Sequence, residues 1–460
     1  MTVFFRATPG FALLCSLLFA PTTSAQSRPP VILVGGGTQD CTRASFNSRV
    51  SFGTLETMLA GKLIRTEFFE LCSVPSKAGG GLTPVEEMGE ALGALIDQLA
   101  NPEVDLVAYS LGGVVVRCYL SGKKTTPGVF KPPIRHKVRK LVLLGVGHFG
   151  GFLGGLSSPP EVQVLEYGSR FFWDLANWDQ GREVYRQVDA VELLAFSGAP
   201  TDGSVSLISG SLSFAYPAER TRIISGCHVR SMCSPGVAYV DSAQHPAWLV
   251  VDSFLDGADG WKSVGQAPDE DSVLSRMGGL VVGVKDAWDN LIQDSQVSIS
   301  GRAMWKGAAG DSVGNFVEEL IETGKYTLQA SAPFPVPDRT VTVIPGIFTV
   351  VTMKPGPLVE GIQSAGSASR SPSIAAGATI SIHGERLADA PIVATEPFPG
   401  ILGSTTVSLN DQPIPLLYVS ESRIDAKLPD DVTGFARLTV TNDKGAHGLN
   451  LFLTEKEPLP

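Results

Sequence analysis

Short apolar runs alternate with helical periodicity through the first half of the chain. The runs are nearly continuous, which is typical of strands buried on both faces, and the segments between them carry apolar residues at helical spacing. This alternation predicts an α/β domain with a mostly parallel sheet, from Pro30 to about Gly257. The clearest segments are the strands Val31–Val34, Val104–Val107 and Lys140–Leu144, and the helices Val85–Leu99 and Leu111–Leu120.

The pattern changes after about Pro268, where short segments rich in β-branched residues replace the helical spacing. Gly and Pro interrupt these segments, which predicts two small all-β sandwich domains over 268–357 and 358–460. A Gly/Ser/Ala-rich stretch from Gly361 to Gly377 is interpreted as the linker between them. The predicted strands are Leu280–Val284, Gln296–Ser300, Lys325–Leu328 and Thr340–Val343, then Thr379–Ile382, Thr406–Leu409, Leu416–Val419 and Ala436–Val440.

Residues 1–25 are interpreted as a signal peptide. Arg6 precedes the apolar run Phe11–Ala20, and small residues follow as far as Ala25. The run is about half the length that a membrane span needs, so cleavage after Ala25 is expected and an uncleaved anchor is the alternative. Cleavage would leave a mature α/β domain over 26–260 and place the protein outside the cytoplasm, as a secreted, periplasmic or cell-surface protein.

The charge balance argues against a nucleic-acid partner. The 460 residues include 36 Lys+Arg and 46 Asp+Glu, a formal net charge of −10, and the cations form no run. Nucleic-acid binding depends on clustered cations that face phosphates. With 43% hydrophobic residues the chain is expected to fold, and its length corresponds to two to four domains at about 100 to 200 residues each.

Five cysteines remain after the expected cleavage, and an oxidising compartment would favour disulfides. Cys227 and Cys233 are close enough to staple one loop, and Cys41 with Cys72 would close the region after the first strand. Cys118 would remain a buried thiol inside an apolar helix. The absence of a C-x-x-C pair makes a cysteine-based metal site unexpected.

Ser110 stands at a tight turn between a predicted strand and a predicted helix. A nucleophile on such a turn is forced towards left-handed backbone geometry, so the residues two before and two after it must be small; here they are Ala108 and Gly112. The helix that follows aims its first amides, including that of Leu111, at a developing oxyanion. The alternative is a serine that merely caps the helix.

A second oxyanion donor is expected from the glycine-rich loop after the first strand. Gly35, Gly36 and Gly37 follow Val34 directly, and the amide of Gly37 is the preferred partner of the Leu111 amide. A phosphate-binding loop is the competing interpretation, but neither G-K-[ST] nor G-x-G-x-x-G is completed.

Asp202 is the preferred acid of a serine-based site. It follows the predicted strand that ends near Ala195, and sheets of this type carry their groups in the order serine, acid, histidine. An ordinary Asp-Gly turn is the alternative interpretation. Asp179 and Asp189 are weaker candidates, because they lie in a predicted helical insertion before that strand.

His228 is the preferred general base, and His245 is the alternative. His228 comes just after the predicted strand Arg222–Ser225, where a loop at the edge of the sheet can reach Ser110. His245 precedes Pro246 at the start of a predicted helix, a common place for a cap or surface residue. The other histidines fall before the acid or in the β region, namely His136, His148, His383 and His447.

These motifs resemble those of secreted α/β-hydrolase lipases and esterases over about half of the chain. Pro30-Val-Ile-Leu-Val-Gly-Gly-Gly37 is similar to their oxyanion strand, Val107-Ala-Tyr-Ser-Leu-Gly-Gly113 to their nucleophile elbow, and Leu141-Val-Leu-Leu-Gly-Val-Gly-His-Phe-Gly150 to their strand ending in T-P-H-x-G. Gly35 replaces the histidine of their H-G pair, and Val146-Gly147 replaces Thr-Pro. The resemblance gives His148 a structural role and implies a helical cap around 149–191, whose aromatic residues could cover an acyl pocket or pack in the core.

The β region resembles two modular families. Gly279–Asn290 and Gly324–Leu328 are similar to carboxypeptidase-regulatory-like (transthyretin-type) sandwiches, and Pro372–Glu455 is similar to bacterial Ig-like (IPT/TIG-type) C-terminal domains. These resemblances imply possible contact with a cell surface or a polysaccharide.

The sequence therefore predicts a secreted serine hydrolase of carboxylic esters that acts through Ser110, Asp202 and His228. Its substrate would be a lipid or a small ester, and it would need no metal and no organic cofactor. The alternative is a non-catalytic cell-surface or carbohydrate-binding protein with a degenerate hydrolase domain.

Overall fold

A six-stranded sheet forms the centre of the first half of the chain. The computed structural model of the protein describes residues 28–36, 48–76, 83–151, 164–178, 188–229, 246–268, 272–292, 294–306, 315–365 and 374–455. The sheet order is β2-β1-β3-β4-β5-β6, and every neighbouring pair is parallel. Its strands are β1 Val31–Val34, β2 Thr66–Phe69, β3 Val104–Tyr109, β4 Val138–Leu144, β5 Asp189–Phe196 and β6 Thr221–Ser225.

Helices cover both faces of this sheet. Along β3, Leu106 and Ala108 join the core beneath α2 and α3, whereas Val107 and Tyr109 join the core beneath α1 and α6. Both faces of the sheet are therefore shielded from water, which explains why apolar residues run continuously along its strands. The helices are α1 Ser48–Gly61, α2 Val85–Gln98, α3 Leu111–Ser121, α4 Arg170–Trp178, α5 Leu207–Gly210, α6 Pro246–Leu255 and α7 Val273–Arg276.

This arrangement is an α/β-hydrolase fold, as the sequence predicted. Residues 28–268 are called the hydrolase unit below. The pattern missed β2, whose side chains are mostly half-buried. The expected signal peptide at 1–25 lies outside the described residues. Among the helices that the structure describes, none is long and apolar enough to cross a membrane.

Two sheets pack face to face after the hydrolase unit and form the first sandwich. The sheets have the orders β10-β11-β7-β14 and β13-β12-β8-β9. Leu280 and Val282 from one sheet meet Ile299 and Leu328 from the other in a single apolar core. The strands are β7 Met277–Val284, β8 Gln296–Ile299, β9 Arg302–Ala303, β10 Trp305–Lys306, β11 Asn315–Glu322, β12 Gly324–Ser331, β13 Arg339–Val343 and β14 Phe348–Met353.

The second sandwich follows and has its own core. Its sheets have the orders β15-β17-β23-β22-β18 and β16-β25-β24-β20-β19, with β21 paired to β20. The interpretation of 361–377 as a linker is wrong at both ends, because Gly361–Ser364 pair with β17 as part of β15, and Ile374–Ala375 pair with β25 as β16. The strands are β15 Leu358–Ser364, β16 Ile374–Ala375, β17 Thr379–Glu385, β18 Ile392–Val393, β19 Ile401–Leu402, β20 Thr405–Leu409, β21 Gln412–Pro413, β22 Leu416–Val419, β23 Arg423–Lys427, β24 Gly434–Asn442 and β25 Gly445–Thr454.

Candidate functional site

Ser110 is the single residue between the end of β3 and the beginning of α3. Its backbone has φ 53° and ψ −125°, and its amide donates to the Leu144 carbonyl at 3.0 Å. The positive φ agrees with the expected turn, but this ψ lies outside the left-handed helical region that the sequence predicted. Such a conformation is strained for a residue with a side chain, and the surrounding strands and helix hold it in place.

Glycines surround the serine because no larger residue fits. A Cβ on Gly112 would lie 2.3 Å from the Val34 carbonyl oxygen, and one on Gly36 would lie 2.5 Å from Ser110 Cβ. Ala108, where G-x-S-x-G motifs have glycine, is completely buried in the core. Close backbone contacts therefore explain why the residues around Ser110 are small. Gly36 is a further close neighbour of Ser110 that was not predicted as such.

His228 lies three residues beyond the end of β6 and contacts both other predicted site residues. Its Nε2 is 2.8 Å from Ser110 Oγ, and its Nδ1 is 2.8 Å from Asp202 Oδ2. The carboxylate is an acceptor, so Nδ1 carries the proton and Nε2 is left to accept the Ser110 hydroxyl proton. Two consecutive hydrogen bonds thus connect Ser110, His228 and Asp202.

The turn after β5 holds the Asp202 carboxylate. Asp202 Oδ1 accepts from the amides of Ser204 at 2.9 Å and Val205 at 2.8 Å, while Oδ2 faces His228. The Asp202 carbonyl also accepts from the His228 amide at 2.7 Å. Asp202 is only 1% exposed, and each of its carboxylate oxygens has its own hydrogen-bond partners. The turn therefore orients the carboxylate towards the imidazole.

Tyr109 supports the imidazole from beneath. Its hydroxyl donates to the His228 carbonyl at 2.6 Å, and its ring stacks on the imidazole with centroids 5.3 Å apart. The sequence analysis did not single out Tyr109, because nothing local indicates that its hydroxyl meets a loop 119 residues away.

The glycine-rich loop after β1 is anchored by Ser48, at the start of α1. Ser48 Oγ accepts from the Gly35 amide at 2.9 Å and donates to the Phe69 carbonyl at 2.6 Å. A Cβ on Gly35 would lie 2.8 Å from Ser48 Cα, so no histidine side chain fits here in the present packing. Leu111 begins α3, and its amide is among those without an acceptor inside the helix. Gly37, the other expected donor, lies outside the described residues.

A second histidine–carboxylate pair lies within the same core. Glu192 in β5 and His148 after β4 are almost fully buried, with 3.3 Å between Glu192 Oε2 and His148 Nε2. Glu192 Oε1 accepts from the Val146 amide at 3.1 Å, and Arg117 donates to the His148 carbonyl at 2.6 Å. Burial raises the pKa of Glu192 well above its usual value and lowers that of His148 well below its own. Burial therefore favours the neutral form of both groups.

Asp189, one of the two weaker acid candidates, does not reach the site. Asp189 opens β5 instead of lying in a helical insertion, and it pairs with Arg220 Nη1 at 2.6 Å. Asp202 follows the opposite end of the same strand. Asp189 therefore lies at the amino ends of the parallel strands, whereas Ser110 lies at their carboxyl ends. Asp179 and the alternative base His245 lie outside the described residues.

The predicted cap packs inward where it is described. In α4, Phe171, Phe172 and Leu175 belong to the core over the sheet, and Trp173 belongs to a core shared with the first sandwich. Of the two alternatives for these aromatic residues, core packing is the one that the structure has. Residues 152–163 and 179–187 lie outside the described residues, so the acyl pocket stays a prediction.

Each predicted disulfide involves one cysteine outside the described residues: Cys41, the expected partner of Cys72, and Cys233, the expected partner of Cys227. Both pairings therefore stay predictions. Cys118 is a thiol buried in α3. In the part of the chain that the structure describes, no three His, Cys, Asp or Glu side chains are grouped to hold a metal ion.

Comparison with known proteins adds distant structural likeness. No protein-family model and no curated protein sequence matches the chain. Phospholipase PlaB from Legionella pneumophila is 11% identical, with a TM-score of 0.47, over 71% of this chain and 94% of that one. Its complex with thio-NAD is 13% identical, with a TM-score of 0.48, over 71% and 93%. Aspergillus fumigatus lipase B is 15% identical, with a TM-score of 0.32, over 53% and 54%. At these values the likenesses assign no activity to this chain.

Proposed function

We propose that the chain is a secreted serine hydrolase of carboxylic esters, of the lipase or esterase type. The observation that carries the proposal is the chain of two 2.8 Å contacts that runs from Ser110 Oγ through His228 to Asp202. It combines a nucleophile, a base within reach of the nucleophile's proton, and a buried carboxylate that orients the base.

In the proposed reaction Ser110 Oγ attacks the ester carbonyl while His228 Nε2 takes its proton. The tetrahedral oxyanion accepts hydrogen bonds from the Leu111 amide and, as predicted from the sequence, the Gly37 amide. His228 then returns the proton to the alkoxide leaving group, which leaves an acyl group on Ser110. Water, activated by the same imidazole, releases the acid. Asp202 keeps the imidazole in the required tautomer and stabilises the imidazolium.

The proposal is tested with Ser110→Ala in the full mature chain. A fluorophosphonate probe should label the wild type and fail to label the variant, and p-nitrophenyl ester hydrolysis should fall by at least about 10⁴-fold. Ser263→Ala is the matched control, because Ser263 is an exposed serine whose hydroxyl donates only to the Gly260 carbonyl nearby. Unchanged hydrolysis in Ser110→Ala would refute the proposal, whereas a wild type that shows neither labelling nor hydrolysis would favour the non-catalytic alternative.

The substrate class is best narrowed by a panel of p-nitrophenyl esters of increasing acyl length. A rate maximum at long chains favours a lipid substrate, whereas a maximum at short chains favours a small ester. Secretion has a separate test, since the mature protein from the extracellular or periplasmic fraction should begin at Gln26.

A further inference from the structure

The hydrolase unit and the first sandwich share one apolar core. Phe348 of β14 stacks near Phe149 and Tyr167, with ring centroids 5.1 and 6.0 Å away. A Cβ on Gly283 of β7 would lie 2.5 Å from the Trp173 ring, so the strand and α4 are in direct contact. The shared core comprises Phe149, Tyr167, Trp173, Ala176, Leu194, Leu207, Ile208, Leu274, Val281, Val317 and Phe348.

A polar cluster lies within this apolar contact. The Tyr167 hydroxyl is 3.2 Å from Glu319 Oε1 of β11 and 3.0 Å from Ser206 Oγ, and it accepts from the Ser206 amide at 3.2 Å. Burial raises the pKa of Glu319, while hydrogen bonds from Ser206 and Tyr167 act in the opposite direction. Tyr167 is 1% exposed, and burial raises its pKa as well. A carboxylate from the first sandwich thus meets two hydroxyls of the hydrolase unit.

The same cluster borders the turn that carries Asp202. Ser206 directly follows Val205, whose amide donates to Asp202 Oδ1 at 2.8 Å and whose carbonyl accepts from the Asp202 amide at 3.1 Å. Ser206 Oγ also accepts from the Ser209 amide at 3.2 Å and so caps α5. Ser206 therefore holds the end of the turn that follows Asp202. It is connected to Glu319 through the Tyr167 hydroxyl.

We propose that Glu319 is a positioning residue of the hydrolytic site, acting through Tyr167 and Ser206 on the turn that holds Asp202. The inference rests on the proposed function and goes beyond it, because it makes the first sandwich part of the active-site support. Glu319 touches no reacting atom. Its contribution is to fix where the carboxylate of Asp202 stands, and catalytic rates respond strongly to such displacements.

The test compares Glu319→Ala and Glu319→Gln with Glu322→Ala in the full chain. Glu322 is an exposed glutamate at the end of the same strand and is the matched control. Rates are expressed per active site, titrated with a fluorophosphonate, so that a loss of folded protein does not count. We expect Glu319→Ala to lower kcat about tenfold with KM unchanged, Glu319→Gln to retain at least about one third of kcat, and Glu322→Ala to match the wild type.

A double-mutant cycle adds the connection through Tyr167. Tyr167→Phe should lower kcat by at least the same factor, because it removes the contacts of the hydroxyl with both Glu319 and Ser206. The double variant with Glu319→Ala should lose no more than Tyr167→Phe alone, because the hydroxyl through which Glu319 acts is then already absent. Additive losses, an unchanged kcat in Glu319→Ala, or a Gln variant no better than Ala would each overturn the inference. If Ser110→Ala also retains activity, the proposed function itself has failed; if Ser110→Ala is inactive, only the role of Glu319 is refuted.

Discussion

Two histidine–carboxylate pairs lie in the hydrolase unit, and they differ in what the second ring nitrogen meets. His228 uses Nδ1 for Asp202 and turns Nε2 towards Ser110 Oγ at 2.8 Å. His148 uses Nε2 for Glu192, while among the described residues its Nδ1 has no hydrogen-bond partner. Only the first pair therefore connects a carboxylate to a nucleophile. A buried histidine beside a carboxylate is not by itself a general base.

Burial shifts the pKa values of both members of the second pair. The side chains of His148 and Glu192 are both 0% exposed, and burial favours the neutral form of each. The Glu192 carboxyl additionally feels the nearby charge of Asp202, which raises its pKa further. Glu192 instead supports the loop after β4 through the Val146 amide. A histidine–carboxylate pair thus contacts a serine hydroxyl in one place and supports a loop inside the core in the other.

The largest effect should come from removing the proposed base. His228→Ala leaves Ser110 with no proton acceptor, so kcat should fall by at least about 10⁴-fold in a p-nitrophenyl ester assay. Circular dichroism should show a folded protein. His245→Ala is the comparison, and it should cost little. Loss of turnover in His245→Ala together with activity in His228→Ala would contradict the assignment.

The carboxylates can be compared by one chemical change at each, and Asp202→Asn is the damaging one. The nitrogen of the new side-chain amide cannot accept a hydrogen bond from His228 Nδ1–H, as a carboxylate oxygen does. The neutral amide also cannot stabilise an imidazolium. We expect kcat to fall by about 10⁴-fold. A fall smaller than tenfold would show that another group orients His228.

Tyr109→Phe should have an intermediate effect. The ring can still stack on the imidazole, but the hydrogen bond to the His228 carbonyl is lost. The loss of one buried hydrogen bond corresponds to about 1 kcal/mol, so kcat should fall about fivefold. A kcat equal to that of the wild type would show that stacking and the Asp202 contacts alone hold the loop.

Glu192→Gln should have the smallest effect on turnover. Because burial favours the neutral form of Glu192, the neutral amide of similar shape should leave kcat within about twofold at neutral pH. A loss comparable to that of Asp202→Asn would mean that Glu192 acts as a charge in the reaction, and the contrast between the two pairs would fail.

The same variant has a definite pH signature in stability. Because the folded pKa of Glu192 lies above the unfolded value of 4.5, the folded state binds more protons than the unfolded state between these two values. This group therefore destabilises the fold as pH rises through that range. Gln has no such proton, so the Tm of Glu192→Gln relative to wild type should rise by a few degrees from about pH 5 to about pH 8. A constant difference in Tm would show that Glu192 is ionised in the fold.

Local pattern predicted the elements that carry the site. The continuous apolar runs that became β1, β3 and β4 reflect burial on both faces, and the small residues around Ser110 reflect a close approach of backbones. Position along the chain also favoured His228 over His245, because the loop after a parallel strand emerges at the edge of the sheet where Ser110 lies. These features are readable because they depend on residues close together in sequence.

The supporting contacts could not be predicted in the same way. Each of three supporting residues contacts a residue that is distant in sequence. Ser48 is 13 residues from Gly35, Tyr109 is 119 residues from His228, and Glu319 is 113 residues from Ser206. A serine, a tyrosine and a glutamate in such places look like ordinary cap, core and surface residues. Only the packing of distant segments gives each of them a partner.

The core shared by the hydrolase unit and the first sandwich also has a consequence for the order of synthesis. The ribosome makes Phe149, Trp173 and Leu194 before Val281 and Phe348, which cover them. A nascent chain that ends between the two sets presents a large apolar surface to water, and such surfaces favour aggregation. Folding of the first half should therefore wait for the second, or be assisted by a chaperone until Phe348 has emerged.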